Sequence, residues 1–240
     1  MNIAVIFAGG TGQRMNTKSK PKQFLEMHGK PVLIYTLDNF QNHPMIDAIV
    51  LVCLESWIPY CKTILHKFGI DKVKAIVPGG ETGQESIFNG VHKAYELFGE
   101  DAILLIHDGV RPLVDETTIT ECINTVKNKG NAITVSPAIE TIFVKNAENN
   151  KVGKIMQRQN CLMAKAPQCF YAIDIYSAHL KARSENKFNF IDSADLMQHY
   201  GHELYTVVGP SENIKITTPS DFYMFRAIMD ARESYQILGI

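Results

Sequence analysis

Short apolar runs rich in β-branched residues recur along the chain: IAVIF at 3–7, AIVLVCL at 48–54, VKAIVP at 73–78, AILLIH at 102–107 and AITVSP at 132–137. Runs of this length with so little polar interruption predict strands covered on both faces, the situation of a parallel sheet. Between them the apolar positions change period. Ile87, Val91, Ala94, Tyr95 and Phe98 recur at helical spacing, as do Ile119, Cys122, Ile123 and Val126, which predicts amphipathic helices. Strand and helix alternate, so the predicted fold class is α/β: a Rossmann-like, mostly parallel sheet with helices on both faces.

The rhythm stops after residue 137. ETIFVKNAENNKVGKIMQRQ (140–159) reads as two extended legs around an Asn-rich turn, a hairpin with little apolar surface of its own. Residues 138–160 are therefore read as a projecting arm on a single domain spanning 1–240. An isolated hairpin is marginally stable in water, so the arm needs something to pack against, such as a second subunit. Beyond it the pattern predicts a helix over 172–183, another opening within DSADLMQHYG (192–201), a strand in LYTVVG (204–209) and a last helix from Ser220, capped just after TTP.

Composition narrows the function classes. A chain of 240 residues, 45% of them hydrophobic, can bury a large core. With 24 Lys and Arg against 25 Asp and Glu the formal charge is −1, so no global field draws the protein to nucleic acid or an anionic membrane, and any anion site must be local. No eighteen apolar residues run together, which predicts no membrane insertion. The five cysteines form no CxxC pair, and an odd count without a basic, apolar leader at the N-terminus points to a reduced, cytoplasmic compartment.

The first strand runs out into FAGGTGQRMNTKSKPKQF (7–24). Gly9, Gly10 and Gly12 fall where a parallel sheet places ligands, and glycines there let backbone N–H groups converge on an anion. A dinucleotide fingerprint GxGxxG would need a glycine at position 15, which is Met15, and the spacing GxxxxGK[ST] is absent. What remains is a glycine loop followed by Arg14 and Lys22, eight residues apart. A guanidinium fork and an ammonium point charge form a clamp for polyphosphate; a plain turn flanked by two solvated cations is the alternative.

AGGTGQRM, PKQFLEMHGKPVLIYTL, GGETGQES (79–86), HDGVRPLV (107–114), PAIETI (137–142), QRQNCLMAKAPQCF (157–170) and ENIKITTPSDF (212–222) together resemble the sugar-alcohol-phosphate cytidylyltransferases. That family includes the 2-C-methyl-D-erythritol 4-phosphate and ribitol-5-phosphate enzymes, and the resemblance spans essentially the whole chain in order. It implies attack by a phosphate oxygen of the acceptor on the α-phosphorus of CTP, with release of pyrophosphate. Both reactants are anions, so cations must cancel their repulsion and steady the transition state. By the resemblance, Arg14, Lys22 and Lys215 are the catalytic cations. Ala8, Gly9, Gly10, Gly12, Gly80, Glu81, Ser86 and Gly109 bind the nucleotide, aided by a helix N-terminus opening near Thr82.

Asp108, Arg111, Thr141 and Arg158 are the expected acceptor contacts, a buried Asp108–Arg111 pair being the structural alternative. Thr141 and Arg158 fall on the two legs of the hairpin and are expected to reach a neighbouring subunit's pocket in a homodimer. Mg²⁺, or another divalent cation, is the implied cofactor, held mainly by CTP phosphates with Asp108 as the one acidic residue expected near it. His107, in HDGVRPLV, is read as structural, and Phe24 and Trp57 as packing residues.

Two departures from the family pattern stand out. Gly83 occupies a position where many relatives carry Arg, and KAPQ (165–168) replaces QTPQ, placing Lys165 and Ala166 where Gln and Thr are usual. The Arg14 to Lys22 spacing and Trp57 look more like the ribitol branch, so D-ribitol 5-phosphate is the expected acceptor and methylerythritol 4-phosphate the runner-up. A catalytically silent homologue would have lost Arg14, Lys22 or Lys215, and all three are present. A sugar-1-phosphate nucleotidyltransferase would carry RLxPLT, which is absent.

Overall fold

The computed structural model of the chain describes residues 1–10, 20–146 and 151–238. β1 (Asn2–Ala8) leads to a 3₁₀ turn at Lys22–Phe24, a small ribbon of β2 (Glu26–Met27) and β3 (Lys30–Pro31), and α1 (Val32–Gln41). β4 (Ala48–Cys53), α2 (Ile58–Lys67), β5 (Val73–Pro78), α3 (Gly83–Phe98), β6 (Ile103–Asp108), α4 (Glu116–Lys129) and β7 (Asn131–Pro137) continue the alternation. β8 (Ile142–Lys145) and β9 (Val152–Met156) pair as a separate antiparallel hairpin. β10 (Leu162–Tyr171), α5 (Ala172–Ser184), α6 (Ser193–His199), β11 (Thr206–Val208) and α7 (Pro219–Leu238) follow.

Seven strands form one sheet in the order β11-β7-β10-β6-β1-β4-β5. Every neighbouring pair is parallel except those of β10, which runs antiparallel to both β6 and β7. Successive side chains of a strand face opposite ways, and this divides the apolar runs between two cores. Ala4, Ile6, Leu51 and Leu105 pack under α1, α2 and α4. Ile3, Val5, Val50 and Leu104 pack under α3, α5 and α6. A third cluster joins α7, through fully buried Phe225, to Val32, Val110 and Ile216. Among the described residues no helix is long and apolar enough to cross a membrane.

The five strands predicted from the apolar runs are present to within a residue or two, LYTVVG contains β11, and the predicted helices are α3, α4, α5, α6 and α7. α1, α2 and β10 fall outside those expectations. VLIYT at the start of α1 is rich in strand-forming residues, and its helix is set by packing of Leu33, Ile34, Leu37 and Phe40 on the sheet. β10 carries Pro167, which argues against a central strand; the strand accommodates it where pairing with β7 shifts register between Ala164 and Gln168. The hairpin is present, but the expectation that it carries little apolar surface is corrected. Phe143, Val144, Val152 and Ile155 are all about half exposed, between 47% and 61%.

Candidate active site

β1 lies between β4 and β6, so the chain starts in the middle of the sheet and builds outward on both sides. The carboxyl ends of β1 and β6 bracket such a reversal, the place where a parallel sheet opens a crevice. Ala8 ends β1 and Asp108 ends β6, and two adjoining cavities of about 580 and 530 Å³ meet there. Phe7, Thr82, Gly83, Asp108 and Lys215 line both.

The larger cavity carries the expected nucleotide residues Ala8, Gly9, Gly10, Gly80, Glu81 and Ser86, with Lys22. Gly12 and Arg14 lie outside the described residues. Gln23, buried at 1% exposure beside Lys22, donates from Nε2 to the carbonyls of Ala8 (2.6 Å) and Gly10 (3.2 Å). It ties the 3₁₀ turn bearing Lys22 to the start of the glycine loop. Phe24, the next residue, stacks on Trp57 with ring centroids 4.9 Å apart, so both aromatics pack as expected.

Opposite this loop, the residues before α3 build a tight cap. Thr82 Oγ1 accepts from Glu85 N (3.1 Å), and the Glu85 carboxylate accepts from Glu81 N (3.0 Å), a capping arrangement that spends the acidic group at the positive helix end. Ser86 Oγ accepts from Gly80 N (3.1 Å) and donates to Thr82 O (3.0 Å), so the hydroxyl organises the turn as well as lining the cavity. A Cβ at Gly80 would stand 2.3 Å from Glu85 Cβ, and only glycine fits. Gly83 has open space around its Cβ position. Gly109, expected on the nucleotide, lines neither cavity. Its Cβ position lies 2.9 Å from Ala8 Cβ and 3.1 Å from Leu33 Cδ1, so this glycine serves the close packing of the β6 end against β1 and α1.

At the junction of the cavities sits one carboxylate between two cations. Lys215 Nζ is 2.5 Å from Asp108 Oδ1, and Arg111 Nε donates to Oδ2 at 2.8 Å. Burial would push the Asp108 carboxyl up, but the Lys215 and Arg111 charges and their hydrogen bonds outweigh it and hold it at about 2. Arg111 lies three residues after Asp108 in the same turn, whereas Lys215 comes from a distant segment whose packing aims it. In NIKITT, Ile216 is fully buried and its N–H donates to Val110 O (2.9 Å), which leaves Lys215 facing the cavities. Asp221 braces the following turn by accepting from Thr217 N, Thr217 Oγ1 and Thr218 N.

Asn213, fully buried, accepts from Arg111 Nη1 on its carbonyl (2.8 Å) and donates to Ala166 O (2.7 Å). It joins the Lys215 segment to Arg111 and β10. His107 donates from Nε2 to the carbonyl of Arg111 (3.0 Å), and burial pushes its pKa down to about 4. A neutral imidazole bracing a turn is a structural role, as the sequence predicts.

The smaller cavity is lined by Arg111, Lys165, Gln168 and Asp192 among others. Asp192 caps α6 by accepting from Asp195 N and also accepts from Gln168 Nε2. Thr141 and Arg158 line neither cavity of their own chain. Thr141 precedes β8, and Arg158 lies two residues past β9 in a 3₁₀ turn, not on the strand leg, where Nη1 donates to Ile139 O (3.0 Å). Among the described residues no group of three or more His, Cys, Asp or Glu converges to hold a metal, and both Asp108 oxygens are already in ion pairs. The residues do not form a protein cation cage.

Sequence reasoning missed Gln23, Asn213 and Asp221. The signal for Asp221 was the TTPSD string, a turn before a helix; nothing local marks Asn213, whose partners are contributed by β10 and the β6 turn.

The arrangement can draw two anions together over Lys215. Comparison with known proteins bears on which anions. Residues 2–231 match the family model described as IspD, 2-C-methyl-D-erythritol 4-phosphate cytidylyltransferase. The ribitol-5-phosphate cytidylyltransferase of Streptococcus agalactiae serotype III is 52% identical over 240 residues, covering all of both chains. The 2-C-methyl-D-erythritol 4-phosphate cytidylyltransferase of Clostridium acetobutylicum is 38% identical over 95% of this chain and 97% of its own. Among solved structures, the 4-diphosphocytidyl-2C-methyl-D-erythritol synthase of Anaerococcus prevotii superposes with a TM-score of 0.81 at 28% identity, over 95% and 96% of the two chains.

Proposed function

The chain belongs to the 2-C-methyl-D-erythritol 4-phosphate cytidylyltransferase family, and from that premise we propose that it transfers CMP from CTP to D-ribitol 5-phosphate. A phosphate oxygen of the acceptor forms a bond to the α-phosphorus of CTP, the bond from that phosphorus to the α–β bridging oxygen breaks, and pyrophosphate leaves. The acceptor phosphate is already ionised, so no general base is required. The observation that carries the choice of acceptor is the 52% identity, end to end, with a ribitol-5-phosphate enzyme against 38% with a methylerythritol one.

The larger cavity takes CTP, with Lys22 and the glycine-loop backbone on the phosphates, and the smaller takes the polyol phosphate beside Arg111. Lys215 stands at their junction, where the α-phosphate and the attacking oxygen meet. In the free protein Asp108 holds Lys215 and Arg111 in place at little cost in repulsion, so the cations are oriented before either anion arrives. A divalent cation on the CTP phosphates would supply further neutralisation of the leaving pyrophosphate.

The arm belongs to this reading. Thr141 and Arg158 stand away from their own chain's cavities, and the hairpin's exposed Phe143 and Ile155 are unsuited to water. We take the arm to seat on a second copy of the chain and deliver Arg158 to that copy's acceptor site.

Pyrophosphate release from CTP should be fastest, by kcat/KM, with D-ribitol 5-phosphate in a panel that includes methylerythritol, glycerol and erythritol phosphates. A higher value with methylerythritol 4-phosphate would move the assignment to the runner-up, and no turnover with any of them would remove it. Mixing an Arg158→Ala chain with a Lys215→Ala chain should restore activity, because one hybrid site keeps both residues; no restoration would mean that each chain builds its own site.

A further inference from the structure

We propose that Lys165 is a phosphate-binding residue of the acceptor cavity, gripping the polyol phosphate opposite Arg111. This rests on the reading above that the smaller cavity receives the acceptor. Lys165 lies in the stretch of β10 where pairing with β7 shifts register between Ala164 and Gln168. It leaves the regular ladder there and lines the cavity together with Asp108, Arg111 and Lys215. Among the described residues no carboxylate pairs with it; its one hydrogen bond runs from Nζ to the carbonyl of Ser211 (3.2 Å).

Charge counting at this end of the cavity gives the reason for an anion. Three cations, Arg111, Lys165 and Lys215, face one carboxylate, Asp108, whose two oxygens are already taken by the other two cations. Asp192, the other acidic group on the cavity wall, is spent on the α6 cap and on Gln168. Partial burial, and then the neighbouring Arg111 charge, push the Lys165 ammonium pKa down. An uncompensated cation held half out of water beside another cation is unfavourable until an anion arrives. A phosphate monoester, carrying close to two negative charges near neutral pH, supplies the missing partner. Lys contributes a point charge with three donors, of which the Ser211 carbonyl takes one, so the contact adds to the guanidinium of Arg111 without duplicating its geometry.

The test is steady-state kinetics of the full-length enzyme with Lys165→Gln, Lys165→Met and Lys165→Arg. The Gln and Met variants should raise KM for D-ribitol 5-phosphate about 10- to 100-fold, the range for one lost charge-assisted hydrogen bond. KM for CTP and the melting temperature should stay close to wild type, and Lys165→Arg should recover most of the loss. If Lys165 only ties β10 to the Ser211 loop, the neutral variants would lower the melting temperature or raise both KM values together, which overturns the assignment. So would an acceptor KM within twofold of wild type in both neutral variants. A wild-type enzyme that turns over no polyol phosphate would instead overturn the function, and this assignment with it.

Discussion

At the carboxyl edge of the sheet, a buried carboxylate is paired with two cations; on the arm, apolar side chains stand about half exposed. Asp108 and Arg111 come from the turn that ends β6 and Lys215 from a segment a hundred residues on, yet they meet within 2.8 Å, with Asn213 and the Asp221-braced turn holding the second segment against the first. Phe143 and Ile155 face water on a hairpin that shares no ladder with the central sheet. One region is finished by its own chain. The other leaves apolar surface uncovered, and on the dimer proposed above that surface is what a second subunit would cover.

The largest effect should come from removing the cation at the junction. Lys215→Ala is expected to lower kcat about 10²- to 10³-fold, the usual loss for one preorganised electrostatic group, while circular dichroism stays that of a folded protein and the melting temperature falls by only a few degrees. Loss of folding together with activity would show that the cluster is a structural device after all. The arm should respond in the opposite sense. Phe143→Asp with Ile155→Asp should give a monomer by analytical ultracentrifugation and leave the melting temperature of the domain within a few degrees, since exposed positions contribute little to the fold. A dimer that survives both charges would place the subunit contact elsewhere.

A smaller and pH-dependent effect isolates the buried pair. The Asp108 carboxyl lies at about 2 in the folded protein against 3.8 for an unperturbed one. Its contribution is therefore fully present above about pH 4 and lost as pH falls through about 2, and the shift corresponds to about 2 kcal/mol. Urea melts of wild type and Asp108→Asn at pH 5 and pH 2.5 should converge toward the acid end; a constant gap would mean that the pair contributes nothing through ionisation. Smallest of all, Thr82→Ala removes the α3 cap and should cost about 1 kcal/mol, with KM for CTP rising because the cap also shapes the nucleotide cavity. An unchanged KM would confine Thr82 to helix stability.

Much of the scaffold was legible because both faces of β1, β4, β6 and β7 are covered and their apolar runs are almost unbroken. The helix start near Thr82 was legible for a local reason too, as capping is settled within four residues. β10 was not. Its exposed start at Leu162–Ala164, its proline and its buried end at Ala166–Phe170 give no single period, and its position is dictated by the two strands that flank it. The site divides along the same line. Lys22, Lys215, Asp108 and Arg111 could be named from motifs, but no spacing in the chain says that Asp108 holds Lys215, and the role of Lys165 turns on a register shift visible only once β7 and β10 are paired.

That antiparallel strand has a bearing on how the protein is made. β6 and β7 are synthesised before the arm, and β10 after it, yet β10 lies between them. Until residue 171 is available, each of those strands has an edge with open N–H and C=O groups, the kind of edge that recruits other chains. A chain stopped at Pro137 would hold every parallel strand of the half-sheet it needs for CTP and would still lack the wedge that joins them. Both edges therefore stay open while the arm is made, and that is an interval in which aggregation can compete with folding.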